Sequence, residues 1–292
     1  MSESTRPNWL ITLAYDGTGY SGWQIQPERR SIQGVLQEKL CNLFQAQLRV
    51  FGCSRTDAGV HALSQRASFC PPDKPPIDEL SARRALNSLL PSDIRILRID
   101  KVANDFHARH NAVGKAYSYL LNSEECLCPF TRNHFWSLRC ELNLQAMATA
   151  SKHLIGTHDF TGFSVNSTNS DIQPVKILYD ARVQTIGSYI VISIIGNSFL
   201  YKMVRRIVGF LVKVGKGQAA PEEASQVLSV RNRAVQFDTA PAHGLYLEEV
   251  FYRKEDIFRF QSGEIPFLKL LGLPAGYADL RRGPTGAALN RL

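Results

Sequence analysis

No C-x-x-C pair occurs in this chain, although it has six cysteines, at positions 41, 53, 70, 126, 128 and 140. Cys126 and Cys128 stand too close for the usual ligand spacing of a structural zinc site, so neither a zinc ribbon nor a dithiol redox centre is indicated. Reduced thiols in a reducing compartment are the simplest expectation. No run approaches the roughly 18 apolar residues that a membrane span requires, and the opening "MSESTRPNW" has no apolar signal core. A soluble, cytoplasmic protein is therefore expected. Acidic residues are missing altogether between Ala181 and Pro221, while Arg182, Lys202, Arg205, Arg206, Lys213 and Lys216 fall inside that stretch. One wall of the molecule is predicted to be positive. The whole-chain balance, 34 Lys+Arg against 26 Asp+Glu for a net +8, is compatible with a polyanionic partner such as nucleic acid without requiring one.

At 292 residues and 44% hydrophobic content the chain suffices for one large domain or two of ordinary size. Trp9–Tyr15 is β-rich and short, hence a strand. A Gly-rich loop follows, and then Ser31 caps a helix with Ile32, Val35, Leu36, Leu40 and Leu43 at helical spacing. Further strands are predicted at 48–53, 94–102, 116–121 and 244–252, with a hairpin of 175–186 and 188–195 around Gly187 and Ser188. Helices are predicted at 77–89, 144–154, 200–214 and 221–228. The order indicates an α+β protein in which two ferredoxin-like halves, 1–112 and 113–253, share a largely antiparallel mixed sheet. Helices lie on its outer face around a central basic cleft. Residues 254–292 read as a loop-like tail of unknown role.

"GTGYSG" (17–22) fits the G-x-G-x-x-G pattern after a strand, yet "WQIQP" follows it where a dinucleotide site needs a helix to open. A sharp loop presenting Asp16, Trp23 and Gln24 is the better expectation, and no nucleotide cofactor is expected. In "SRTDAGVH" (54–61), Arg55 and Asp57 alternate across Thr56 and share a face in extended chain. A neighbouring guanidinium favours the ionised form of a carboxylate, and Gly59 lets a turn close. An ordinary salt-bridged loop fits the same spacing. "DFHARHNAVGKAYSY" (105–119) gathers His107, Arg109, His110 and Lys115 around Phe106, Tyr117 and Tyr119. Cations interleaved with rings suit RNA, and core tyrosines beneath solvated charges would look alike. On "FLYKMVRRIVGFLVKVG" (199–215), Lys202, Arg206 and Lys213 share a polar stripe with Gly209. Arg205 sits on the apolar border, where an arginine either meets a buried anion, with Asp57 a candidate, or snorkels to water.

Together these segments resemble the tRNA pseudouridine synthase A family. The matching pieces, in order, are "YDGTGYSGWQIQ", "SIQGVLQEKL", "SRTDAGVHALSQ", "LNSLLPSDIRI", "DFHAR", "KAYSY", "HDFTGFS", "GNSFLYKMVRRIVGFLVKVG" and "GLYLEEVFY", spanning about residues 12 to 252. The resemblance implies that Asp57 is the catalytic aspartate, Tyr117 the active-site tyrosine and Arg205 the arginine paired with the aspartate. Arg55, His61, His107, Arg109, Lys115, Gln24, Lys202 and Arg206 are the expected RNA contacts. The implied reaction isomerises uridine at positions 38, 39 and 40 of the tRNA anticodon stem-loop, with no metal and no redox cofactor. The implied partners are tRNA and a second copy of the chain. The sequence departs from the family where Ser54 replaces a usual glycine and His110 a usual aromatic. A non-catalytic tRNA-binding or folding protein, and a related synthase acting on other RNA uridines, are the alternatives.

Overall fold

The computed structural model describes residues 7–74, 76–123, 129–165, 173–186, 189–229 and 237–261. Through them the chain runs β1 (Asn8–Tyr15), α1 (Ile32–Phe44), β2 (Phe51–Gly52), β3 (His61–Phe69), α2 (Glu79–Leu89), β4 (Ile94–Val102), β5 (Gly114–Asn122), β6 (Trp136–Ser137), α3 (Leu144–Lys152), β7 (Gly156–Asp159), β8 (Val175–Ile186), β9 (Tyr189–Gly196), α4 (Met203–Gly215), α5 (Glu223–Ser229), β10 (Leu245–Phe251) and α6 (Lys254–Gln261). None of these helices is long and apolar enough to cross a membrane.

The strands make one mixed, mostly antiparallel sheet in the order β4-β1-β3-β10-β5-β9-β8-β7, with β2 against β3 and β6 against β5. The fold is α+β, as expected. β10 comes late in the sequence and lies in the middle of the sheet, parallel to β3 and antiparallel to β5. It thereby joins the strands of residues 8–102 to those of 114–196. Leu247 registers with Ala62 on one side and Tyr117 on the other, so β10 sets the spacing between the loop before β3 and the middle of β5.

Alternation along β5 divides its side chains between the two faces of the sheet. Tyr117, Tyr119 and Leu121 join Ile192 and Ile194 of β9 and Met203, Ile207, Phe210 and Leu211 of α4 in the main core. Ala116 instead meets Ile195, Phe251 and Ile257, so α6 covers part of the opposite face. In α1 the spacing of Ile32, Leu36, Leu40 and Phe44 buries one stripe, and the Ser31 hydroxyl caps the helix by accepting the Gly34 N–H at 3.2 Å.

Several expectations change. The strand expected at 48–53 shrinks to Phe51–Gly52. Residues 61–69, which carry no alternation to announce them, form the full-length strand β3. Polar Ser64, Gln65 and Ser68 are buried there, which only their tertiary partners make tolerable. The short strands β6 and β7 were also hidden. α4 begins at Met203 because Lys202 adopts a left-handed backbone (φ 58°). The supposed tail opens with α6. The hairpin tip at 187–188, Cys126 and Cys128, and the tail from 262 lie outside the described residues.

Candidate active site

Asp57 stands in a turn between β2 and β3. Val60 N–H donates to the Asp57 carbonyl at 3.1 Å, and Gly59 takes φ 78°, as the third residue of a type II turn requires. Three side chains hold the chain ahead of the turn. Buried Gln65 receives the Ser54 N–H at 3.1 Å and donates to the Ser54 carbonyl at 2.7 Å. The Tyr15 hydroxyl and Thr56 Oγ1 are 2.7 Å apart. The Gly-rich loop packs its backbone directly on the turn: Trp23 N–H donates to the Thr56 carbonyl at 3.0 Å, and a Cβ on Gly22 would lie 2.6 Å from that same oxygen. Gly17 is closer still, with a Cβ falling 2.1 Å from the Val60 carbonyl oxygen. Gly17 and Gly22 thus let the loop approach the Asp57 turn, and no helix opens on Gly22 to receive a dinucleotide. Trp23 is 1% exposed and packs on Gly52; it is core rather than presented to a ligand.

Across from the turn, Arg205 Nη1 donates to Asp57 Oδ2 at 2.7 Å, and its Nε donates to the Ala240 carbonyl at 2.7 Å. Both partners are largely buried, with side-chain exposures of 13% for Arg205 and 21% for Asp57. The anion expected for an arginine on the apolar border of α4 is therefore Asp57. Tyr117, nearly buried, lines the same cleft with its ring edge-on to Phe199 at 5.1 Å. Burial pushes its hydroxyl well above the ordinary tyrosine value. Arg55 and Lys202 stand at the margins of this cleft.

The space between Asp57, Tyr117 and Arg205 is about 60 Å³. Sites that enclose small molecules span roughly 300–1,000 Å³, so a nucleoside enters only if side chains at the margin move. Arg55 is exposed and free to do so.

The remaining expected RNA contacts separate into two groups. Gln24, His107 and Arg109 border a second pocket on the far side of Arg55. His61 is occupied in the interior, and Lys115 and Arg206 are half-buried with contacts of their own. His61 is 1% exposed: its Nδ1 accepts the Gly17 N–H at 3.1 Å and lies 3.1 Å from Asp16 Oδ1, and its Nε2 meets the carbonyls of Asn133 and His243. Lys115 Nζ reaches the Cys53 carbonyl at 3.4 Å, and Arg206 reaches the Gly162 carbonyl and lies over the Phe237 ring. Strand direction turns the His61 ring inward, whereas Lys115 and Arg206 keep part of their surface exposed.

Asp16, His61 and His134 bring their ligand atoms within 4.8 Å of one another, the one group of three with metal-ligand chemistry among the described residues. The lone pair of His61 Nδ1 is already taken by Gly17, and the Asp16 carboxylate lies beside that nitrogen and meets His134 Nε2 at 3.2 Å. The trio reads as a clip between the Gly-rich loop and the segment before β6. His134, then His61, and the Thr18 hydroxyl hold the Asp16 carboxyl well below the usual carboxylate range. Gln65, Tyr15 and His134 are the residues that motif reading missed; a buried glutamine leaves no signal until its partner is known.

A cleft that buries a carboxylate–guanidinium pair against an aromatic ring, at the seam of a mixed sheet and beside unpaired cations, defines an enzyme acting on a polyanionic substrate. The chain belongs to the tRNA pseudouridine synthase family: the family model described as "tRNA pseudouridine synthase" matches residues 11–111 and 150–253. It is 40% identical over 244 residues to "tRNA pseudouridine synthase A 2" of Bacillus thuringiensis subsp. konkukian, covering 83% of this chain and 98% of the relative. The same identity extends over 248 residues of "tRNA pseudouridine synthase A" of Lacticaseibacillus casei, covering 84% and 99%. A relative of that name from a Thermoanaerobacter strain is 39% identical over 245 residues, covering 84% and 99%.

Proposed function

We propose that this chain isomerises uridine to pseudouridine in the anticodon stem-loop of tRNA, at positions 38, 39 and 40, with Asp57 acting on the ribose. The observation that carries the reading is the Asp57–Arg205 ion pair beside Tyr117, in a chain of this family. The N1–C1′ bond breaks, the uracil turns, and C5 bonds to C1′ as C5 loses a proton and N1 gains one. Substrate and product have the same composition, so the rearrangement consumes no redox equivalent.

Extruding the target base from its stack costs a few kcal/mol. Arg55, exposed at the margin of the cleft, is suited to fill the vacated space. Asp57 then either attacks C1′ or removes a ribose proton to open a glycal-type path. Arg205 fixes the carboxylate's position through its second bond to Ala240. Tyr117 stacks on the uracil. Gln24, His107, Arg109 and Lys202 make the contacts that position the RNA.

We assign residues 1–112 and 113–253 to two halves that meet at this cleft, and expect a cytoplasmic homodimer that clasps the tRNA. The test is a single-turnover assay on unmodified tRNA transcripts with chemical mapping of pseudouridine, with Asp57→Asn in parallel. Pseudouridine at 38 to 40 from the wild type alone supports the proposal. Tight binding without pseudouridine from either protein overturns it in favour of a binding role.

A further inference from the structure

Beside the Asp57 cleft lies a second pocket of about 170 Å³, and Arg55 borders both. Its walls are cationic and planar. Arg49, Arg55 and Arg109 line it, and none has a carboxylate partner among the described residues. Among the described residues no acidic side chain lines the pocket. Phe51 is 36% exposed, with the Arg49 guanidinium 5.1 Å over its ring and the His107 ring 5.0 Å away. His107 in turn meets His110 at 4.2 Å. The result is a ladder of planar groups: Arg49, Phe51, His107, His110.

Geometry and charge agree on what such a ladder takes. His107 Nδ1 accepts the Arg109 N–H at 3.1 Å, so one ring nitrogen is committed as an acceptor. Burial, then the neighbouring His110 and Arg109, lower the His107 pKa and keep the ring a neutral stacking surface at pH 7. The Gln24 side chain, whose Nε2 donates to Gln33 Oε1 at 3.0 Å, also lines the pocket, where a base edge would lie. Three guanidiniums without a carboxylate partner among the described residues ask for phosphate, and the Phe51 ring beneath Arg49 offers a face for a flat ring. The volume admits one planar group, with the guanidiniums at its open rim left to meet a phosphate.

We infer that this pocket is a second nucleotide subsite, which holds the unstacked base and phosphate of a nucleotide flanking the target uridine. The inference rests on the tRNA-isomerase reading above. Arg49 lies over Phe51; on binding it yields that face to the base and turns to the phosphate. Arg55, the shared wall, separates the target nucleotide from its neighbour. The catalytic cleft thus gains a register mark: the enzyme holds two points on the strand rather than one.

The test is a binding cycle between protein and RNA. Dissociation constants at fixed salt are measured for wild type and Phe51→Ala. The RNAs are intact tRNA transcripts and transcripts with a single abasic residue 5′ or 3′ of the target uridine. Phe51→Ala should weaken intact tRNA about tenfold and add no further loss on one of the two abasic RNAs. Phe51→Tyr should bind as the wild type does. Arg49→Ala should lower the slope of log K against log salt by about 0.7–0.9. A Phe51→Ala penalty that is the same on the intact and both abasic RNAs overturns the subsite. Phe51 and Arg49 are exposed, so these variants retain the fold. Wild-type pseudouridine yield is scored on the same intact tRNA. Absence of product there would overturn the isomerase reading, whereas product with an additive cycle overturns the subsite alone.

Discussion

Arg205 and Asp57 stand 148 residues apart in the chain and 2.7 Å apart in the fold. One comes from the first turn of α4 and the other from a turn before β3; β10, inserted between β3 and β5, brings the two regions together. The guanidinium is not spent on the carboxylate alone, since its Nε holds the Ala240 carbonyl. It therefore acts as a bracket with two fixed points.

Asp57→Asn keeps the shape of the side chain and removes its charge. The expected result is loss of turnover by at least about a thousandfold, with tRNA affinity within about threefold of wild type. Single-turnover product mapping and filter binding on one protein preparation check both. A parallel loss of affinity and activity would make Asp57 structural.

Arg205→Lys tests the bracket. A lysine is a point charge and lacks the planar fork that meets two acceptors in fixed directions. Activity should fall by about 10²–10³ while the fold survives, and Arg205→Ala should lose more activity and about 1–3 kcal/mol of stability through the unpaired carboxylate. Activity assays with urea unfolding separate the two. Lysine activity equal to wild type would leave charge alone as the requirement.

The core strands and helix stripes were legible in the sequence because their periodicity is local. Ile94–Val102 and Val175–Ile186 coincide with the expectation, and Ser31 caps α1 as its residue type suggested. β3 was not legible, because its burial of Ser64, Gln65 and Ser68 is justified only by partners far away in sequence. The site divides the same way. The Arg205–Asp57 pair was foreseeable from an arginine on an apolar helix border. His61 was misplaced among RNA contacts because a motif neighbour is not a spatial neighbour: β3 turns its ring away from the cleft toward Asp16 and Tyr246.

Gly22 and Gly19 belong to one loop and should respond oppositely to alanine. Gly22 has φ 89° and its Cβ would meet the Thr56 carbonyl at 2.6 Å, whereas nothing lies within 4 Å of a Cβ on Gly19. Gly22→Ala should displace the Asp57 turn, lowering both Tm and single-turnover rate, with about 1–3 kcal/mol lost. Gly19→Ala should change neither measurably. Equal effects would mean that the close approach of Gly22 to the turn is not what the glycine serves.

Lys202 carries a left-handed backbone at the start of α4 and lines the Asp57 cleft, which places local strain where the substrate arrives. Lys202→Gly and Lys202→Ala both delete the charge, but only glycine removes the backbone penalty. The glycine variant should be more stable than the alanine variant by about 1 kcal/mol. Both should bind tRNA more weakly and with a shallower salt slope. Urea unfolding and salt-dependent binding check the two halves, and equal stability of the variants would argue against strain at this position.

The Asp16 clip makes a prediction in acid. Its carboxyl is held below the unfolded value of 3.8, chiefly by His134 and then by His61. Between the folded and unfolded pKa the unfolded chain binds the extra proton, so stability rises with pH through that interval. The contribution is complete above the unfolded value and declines as pH falls below it. Wild type should thus exceed Asp16→Asn in stability by a constant margin from pH 5 to 6, and the margin should shrink steadily below pH 3.8. Solvent screening at this half-exposed side chain keeps the margin small, on the order of 1 kcal/mol. Urea unfolding of both proteins across that range measures it. A margin that stays constant down to pH 2.5 would show that the clip holds the loop by hydrogen bonding independent of charge. A margin that vanishes already at pH 5 would place the titrating group elsewhere.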